Sequence, residues 1–125
     1  MWDKEETLMY LEDCSLYEDI TVAGNRYILV HGGLMGFSET RNLDDYDIAE
    51  VIFRSPDYSR RYYSDENTFL VTGHTPTLLI PGHEKPEVYR ENGHIAIDCG
   101  CVFGGRLAAF CLDTGDVFYI DKQKN

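Results

Sequence analysis

The sequence predicts an α+β domain with a mixed β-sheet and two helices. Short runs rich in β-branched and aromatic residues recur along the chain, such as Arg26–Val30 and Thr68–Thr72. That is the composition of strands with at least one buried face. Only Asp3–Cys14 and Asn42–Phe53 combine helical spacing of apolar residues with acidic first turns. Hydrophobic residues make up 43% of the 125 residues, enough for one modest core and a single domain, 1–125, rather than a disordered chain.

The elements follow in order. Asp3–Cys14 reads as a helix with Leu8 and Leu11 on one face. Leu16–Ala23 and Arg26–Val30 read as the arms of a hairpin turning at Gly24-Asn25, where glycine accepts the positive φ of a tight turn. Gly32–Arg41 is a loop. Asn42–Phe53 reads as a helix capped by Asn42, with Leu43, Ile48, Val51 and Ile52 as its buried stripe. Its acids Asp44, Asp45 and Asp47 suit a solvated helix start better than a metal cluster. Pro56 breaks that helix, and Ser59–Asn67 is a polar surface segment. After the Thr68 strand, Leu78–Pro81 and Glu87–Tyr89 are expected to form a small hairpin around Pro-Gly-His. Strands at His94–Cys99, Leu107–Leu112 and Val117–Ile120 complete the chain, the last two joined by a turn at Asp113–Asp116.

Two of these runs end alike. Tyr27–Val30 leads into His31-Gly32-Gly33, and Phe69–Thr72 leads into Gly73-His74-Thr75-Pro76. Each strand delivers one imidazole to its carboxyl end. The adjacent glycines, without a Cβ, let the backbone turn and a ligand approach. Neutral imidazoles suit a borderline divalent metal, although two are fewer than the three or four protein ligands a tight site takes. The bland alternative is a pair of hydrogen-bonding core histidines.

Charge and cysteine usage exclude several classes. A net charge of −11 argues against nucleic-acid binding. It also requires a local cation wherever a phosphate is to bind. No apolar run approaches a membrane span. Met-Trp-Asp-Lys-Glu-Glu lacks the pattern of a signal peptide, so cytoplasm is the expected compartment. Cys14, Cys99, Cys101 and Cys111 lack zinc-ribbon spacing and read as reduced packing thiols, with Cys99 and Cys101 sharing one strand face. His83 reads as an exposed turn residue and Asp98 as a buried acceptor. His94 is weighed between packing and orienting loops near the site. Tyr58, Tyr62 and Tyr63 with Arg60 and Arg61 are weighed between a packed loop and a substrate surface.

Val30-His31-Gly32-Gly33-Leu34, Gly73-His74-Thr75-Pro76 and Ile97-Asp98-Cys99-Gly100-Cys101-Val102-Phe103-Gly104-Gly105-Arg106-Leu107, in that order and spacing, resemble the carboxyl-terminal half of calcineurin-like metallophosphoesterases. The branch they are most similar to comprises bacterial serine/threonine protein phosphatases and symmetrical diadenosine-tetraphosphate hydrolases. The resemblance runs from about Leu11 to Ile120. It implies the second half of a four-layer αββα fold and a dinuclear divalent centre (Mn, Fe, Zn or Ni) in the intact enzyme. His31 and His74 would be ligands of one metal, and Arg54 would clamp the substrate phosphate. A helix-end cation is the alternative for Arg54. The substrate would be a phosphorylated protein or a nucleotide.

The family's Asp-x-His, Gly-Asp-x-x-Asp-Arg and Gly-Asn-His-Asp/Glu segments are absent from these residues. The expected state is therefore a carboxyl-terminal fragment with little activity alone, for which metal in the isolated chain stays open. The alternatives are a non-catalytic remnant that self-associates through its uncovered sheet face, and a nucleotide polyphosphate hydrolase half completed by a partner chain.

Overall fold

The computed structural model describes residues 3–123. It is an α+β fold in which a mixed five-stranded sheet takes the order β1-β2-β3-β5-β4. The strands are β1 (Tyr17–Val22), β2 (Asn25–Val30), β3 (Thr68–Thr72), β4 (Tyr89–Glu91) and β5 (His94–Ala96). Strands β2, β3 and β5 run parallel, and β1 and β4 close the edges antiparallel. A separate hairpin, β6 (Arg106–Phe110) and β7 (Val117–Asp121), packs across one face. The two α-helices are α1 (Lys4–Glu12) and α2 (Ile48–Ile52).

The central strands are apolar on both faces because both are covered. Ile28, Val30 and Leu70 pack with Val51, Tyr46 and Tyr63 on the α2 side. Tyr27, Val71 and Ile95 meet Phe110, Val117 and Tyr119 of the hairpin on the other. Full burial of one side chain such as Ile28 is worth roughly 1.5–3 kcal/mol. The edge strand β1 instead carries exposed Glu18, Asp19 and Thr21, which discourages further pairing.

Several expectations are corrected. The first hairpin turns at Ala23-Gly24, not Gly24-Asn25. Val22 pairs with Asn25, and both turn residues have positive φ, 51° and 84°, as a type I′ turn requires. The single helix over Asn42–Phe53 is two pieces. Asn42 caps a 3-10 turn, Leu43–Asp45, through its Oδ1 and the Asp44 N–H at 3.0 Å. Tyr46 is then extended, and α2 begins afresh after Asp47, whose N–H donates to Glu50 Oε1. The break swings Tyr46 into the core and leaves Ile48 63% exposed, so only Val51 of the expected stripe is fully buried.

The hairpin expected around Pro-Gly-His is also displaced. Thr77–Leu79 is a 3-10 turn, and β4 pairs with β5 through Asn92-Gly93. The expected strand His94–Cys99 ends at Ala96. Cys99 and Cys101 then flank a left-handed Gly100 instead of sharing a face, with Cys99 buried and Cys101 half-buried. The four cysteines are free thiols. Among the described residues no helix is long and apolar enough to cross a membrane.

Candidate metal and phosphate site

Parallel pairing places the ends of β2 and β3 side by side. Val30 pairs with Thr72, so the next residues, His31 and Gly73-His74, leave the sheet at the same rim. The Gly73 N–H donates to the His31 carbonyl at 2.9 Å, and the Thr75 N–H donates back to Gly73 at 2.7 Å. This tight turn sets His74 at φ +64°. An L-residue there costs roughly 1–2 kcal/mol, and such strain clusters at functional sites.

The turn brings the two rings together. His31 Nε2 lies 3.2 Å from His74 Nδ1, with both residues exposed. The ring planes are inclined at 59°. Without a metal, one nitrogen donates a hydrogen bond to the other. The spacing also fits chelation. At metal–nitrogen distances of about 2.0–2.1 Å, two ligands of a tetrahedral ion stand about 3.3 Å apart and two cis ligands of an octahedral ion about 2.9 Å. The nitrogen–nitrogen separation matches that of two adjacent ligands of one divalent ion. Among the described residues, no group of three or more His, Cys, Asp or Glu side chains could hold a metal.

Arg54 reaches this rim through its backbone. The Gly32 and Gly33 N–H groups donate to the Val51 carbonyl at 2.8 and 3.1 Å. A Cβ on Gly32 would stand 2.9 Å from the Arg54 carbonyl oxygen, which is why the first imidazole is followed by glycines. On the far side, the Ser55 and Thr75 hydroxyls are hydrogen-bonded to each other. Arg54 is thus held between the two histidine turns, with its side chain exposed.

Arg26, Arg41 and Arg106 pair with Asp19, Glu50 and Asp121. Arg61 and Arg90 donate to backbone carbonyls, and Arg60 lies over the Tyr62 ring. Among the described residues, Arg54 alone of the arginines makes no such contact. Its backbone stands at the histidine turns, and its exposed, permanently charged guanidinium is of the kind that takes two oxygens of one phosphate.

Other sequence candidates take structural places. His94, 1% exposed, donates from Nε2 to the Arg60 carbonyl at 2.7 Å and packs edge-on against Tyr58 and Tyr62. Burial holds its pKa below the usual histidine range. It anchors segment 57–62 and does not reach the rim by any contact. Tyr63 is buried in the core, and Arg61 donates to the Tyr63 and Asp65 carbonyls, so the Tyr/Arg cluster is a packed loop. His83 is half-buried against Tyr89, not fully exposed. Asp98 accepts from the Gly100 N–H at 3.0 Å.

Sequence reasoning missed the Ser55–Thr75 link. It also missed the buried Tyr58 hydroxyl near Thr72 and Thr75, which forms no well-made hydrogen bond. A concavity of about 420 Å³ lies at the opposite end of the strands around Tyr27 and Arg90. There Tyr27 and Arg90 bond the Leu112 and Gly115 carbonyls. Compared with family models and with curated proteins, the chain matches none.

Proposed function

We propose that the chain is the carboxyl-terminal half of a metal-dependent phosphoesterase of the calcineurin-like kind. His31 and His74 would hold one divalent ion (Mn, Fe, Zn or Ni), and Arg54 would bind the phosphate of a phosphoprotein or a nucleotide polyphosphate. The observation that carries this reading is the 3.2 Å approach of His31 Nε2 to His74 Nδ1 at the carboxyl rim of two parallel strands. Arg54, whose backbone stands at the same turns and whose side chain makes no ion pair among the described residues, supports it, since a chain of net charge −11 repels a phosphate unless a cation is placed locally.

When bound, a divalent metal lowers the pKa of coordinated water and offsets charge on the phosphoryl group. The chain's own part is to orient. The strand pair fixes the two imidazoles, the Gly32-Gly33 approach fixes the Arg54 backbone, and the Ser55–Thr75 link ties the turns together. Among the described residues no group of three or more His, Cys, Asp or Glu side chains gathers here to hold a metal, so a second ion would need ligands from elsewhere.

The test is hydrolysis of p-nitrophenyl phosphate with Mn²⁺. The chain alone is expected to give little or no turnover. A polypeptide carrying Gly-Asp-x-x-Asp and Gly-Asn-His segments is expected to restore it, with loss on His74→Asn. Robust turnover by the chain alone, abolished by His74→Asn, would contradict the half-site reading. A second reading, a non-catalytic remnant that self-associates, is favoured by the exposed outer face of the β6–β7 hairpin, where Leu107 pairs with Ile120 and Ala109 with Phe118.

A further inference from the structure

His74 of the imidazole pair borders exposed apolar side chains. His74 lines one cleft of about 310 Å³ with Leu79 and Phe103, which are 69% and 74% exposed. It lines a second, of about 260 Å³, with Leu107 and with Asp98, Cys101 and Arg106. From Leu107 the surface continues across the outer face of the hairpin to Ile120 and Phe118. Exposed apolar surface beyond a few hundred Å² marks an interaction site. Two of the charged groups lining the second cleft are engaged within the chain: Asp98 accepts from the Gly100 N–H, and Arg106 pairs with Asp121 at 3.1 Å.

We propose that two copies of this chain share one divalent cation between their His31–His74 pairs, across a two-fold axis, with the apolar surface around each pair buried against its counterpart. The inference rests on the imidazole chelate argued above and not on phosphoester hydrolysis. Two nitrogens at 3.2 Å fill half of a tetrahedral shell. A two-fold rotation supplies the other half with the same two residues, and it also makes the surrounding surface self-complementary.

Charge selects the cation as the link. Each chain carries −11, so two bare copies repel. An ion at the contact places positive charge where the copies approach most closely, and carboxylates further than about 8 Å away are screened at physiological salt. Both rings are exposed, so neither has to leave the core to meet a partner.

Sedimentation velocity of the intact chain during titration with ZnCl₂ tests this. The expected mass rises from 14.3 kDa to twice that, saturating at one ion per two chains, and EDTA reverses it. His31→Ala and His74→Asn are expected to stay at the single-chain mass with zinc. Asparagine tolerates the left-handed backbone of residue 74, so that variant removes the imidazole and keeps the turn. Phe103→Ser is expected to weaken the zinc-dependent dimer by about tenfold or more. A single chain binding one ion overturns the shared cation and leaves the chelate standing. No bound ion overturns both. A dimer that survives EDTA or His74→Asn overturns the cation bridge.

Discussion

Gly33 stands against Arg54 so closely that a Cβ on the glycine would lie 2.8 Å from the Arg54 carbonyl oxygen and 3.0 Å from the Pro56 nitrogen. Backbone faces that Cβ, so no flexible side chain can yield. Gly33→Ala is expected to destabilise the protein by about 1–3 kcal/mol, the usual cost of overpacking. Gly73→Ala is the control, because its nearest neighbour would be the His31 carbonyl at an ordinary 3.6 Å, and it should cost under about 1 kcal/mol. Urea unfolding of the two variants beside the parent checks the difference.

Arg54 is expected to matter for binding and not for stability. Its side chain is exposed and unpaired among the described residues, so Arg54→Ala should leave the urea midpoint within about 0.5 kcal/mol of the parent. Loss of a charge-assisted, two-pronged contact should weaken phosphate binding to metal-loaded protein by about tenfold or more. Calorimetric titration with inorganic phosphate measures it, and Arg54→Lys should recover only part of the loss.

His94 should set the stability below neutral pH. Burial depresses its pKa in the folded state, against opposing contributions from Asp57 and from carbonyl hydrogen bonds, while Arg61 depresses it further. The unfolded chain therefore takes up a proton first, near pH 6.5. The stability is fully present above about pH 6.5 and is lost as pH falls from there through the lower folded value, by at most about 1.4 kcal/mol per unit. The carboxylates of Asp19, Glu50 and Asp65, held low by hydrogen bonds from Arg26, Arg41 and Thr68, release their contributions only at more acid pH. Urea unfolding between pH 7 and 5 should show a slope that His94→Gln removes.

Gly93 closes the β4–β5 turn at φ +73°, and a Cβ there would meet the Arg61 guanidinium at 2.9 Å. Gly93→Ala should cost about 1 kcal/mol or more from the backbone alone. It should also displace Arg61 from the Asp65 carbonyl, to which it donates at 2.7 Å. Amide exchange should then quicken over Asp65–Thr68, and unchanged exchange there would contradict the link.

Much of the sheet was legible because its signals are local. The runs at Arg26–Val30 and Thr68–Thr72 are apolar enough to be covered on both sides, and both are strands. Turn positions were less legible. The β4–β5 hairpin turns at Asn92-Gly93, a strong short-range hairpin signal, whereas the glycine of Pro-Gly-His lies in a loop turn. The Asn42–Phe53 stretch misled because its apolar spacing spans a break. Asn42 and Asp47 are each good caps, and each starts its own turn. Among the candidates, the two histidines could be named from sequence because strand ends and glycines mark them, whereas Arg54 was named only through the family resemblance. The Ser55–Thr75 link could not, because it joins residues 20 apart through tertiary packing.

The protein's four histidines allow a direct measurement. Imidazole resonances followed by NMR during zinc titration should show His31 and His74 shifting together at the same zinc concentration. His94, buried against Tyr58 and Tyr62, and His83, bonded to the Glu87 carbonyl at 2.8 Å, should stay in place. Movement of His83 alongside them, or of only one of His31 and His74, would contradict a two-imidazole chelate at the strand rim.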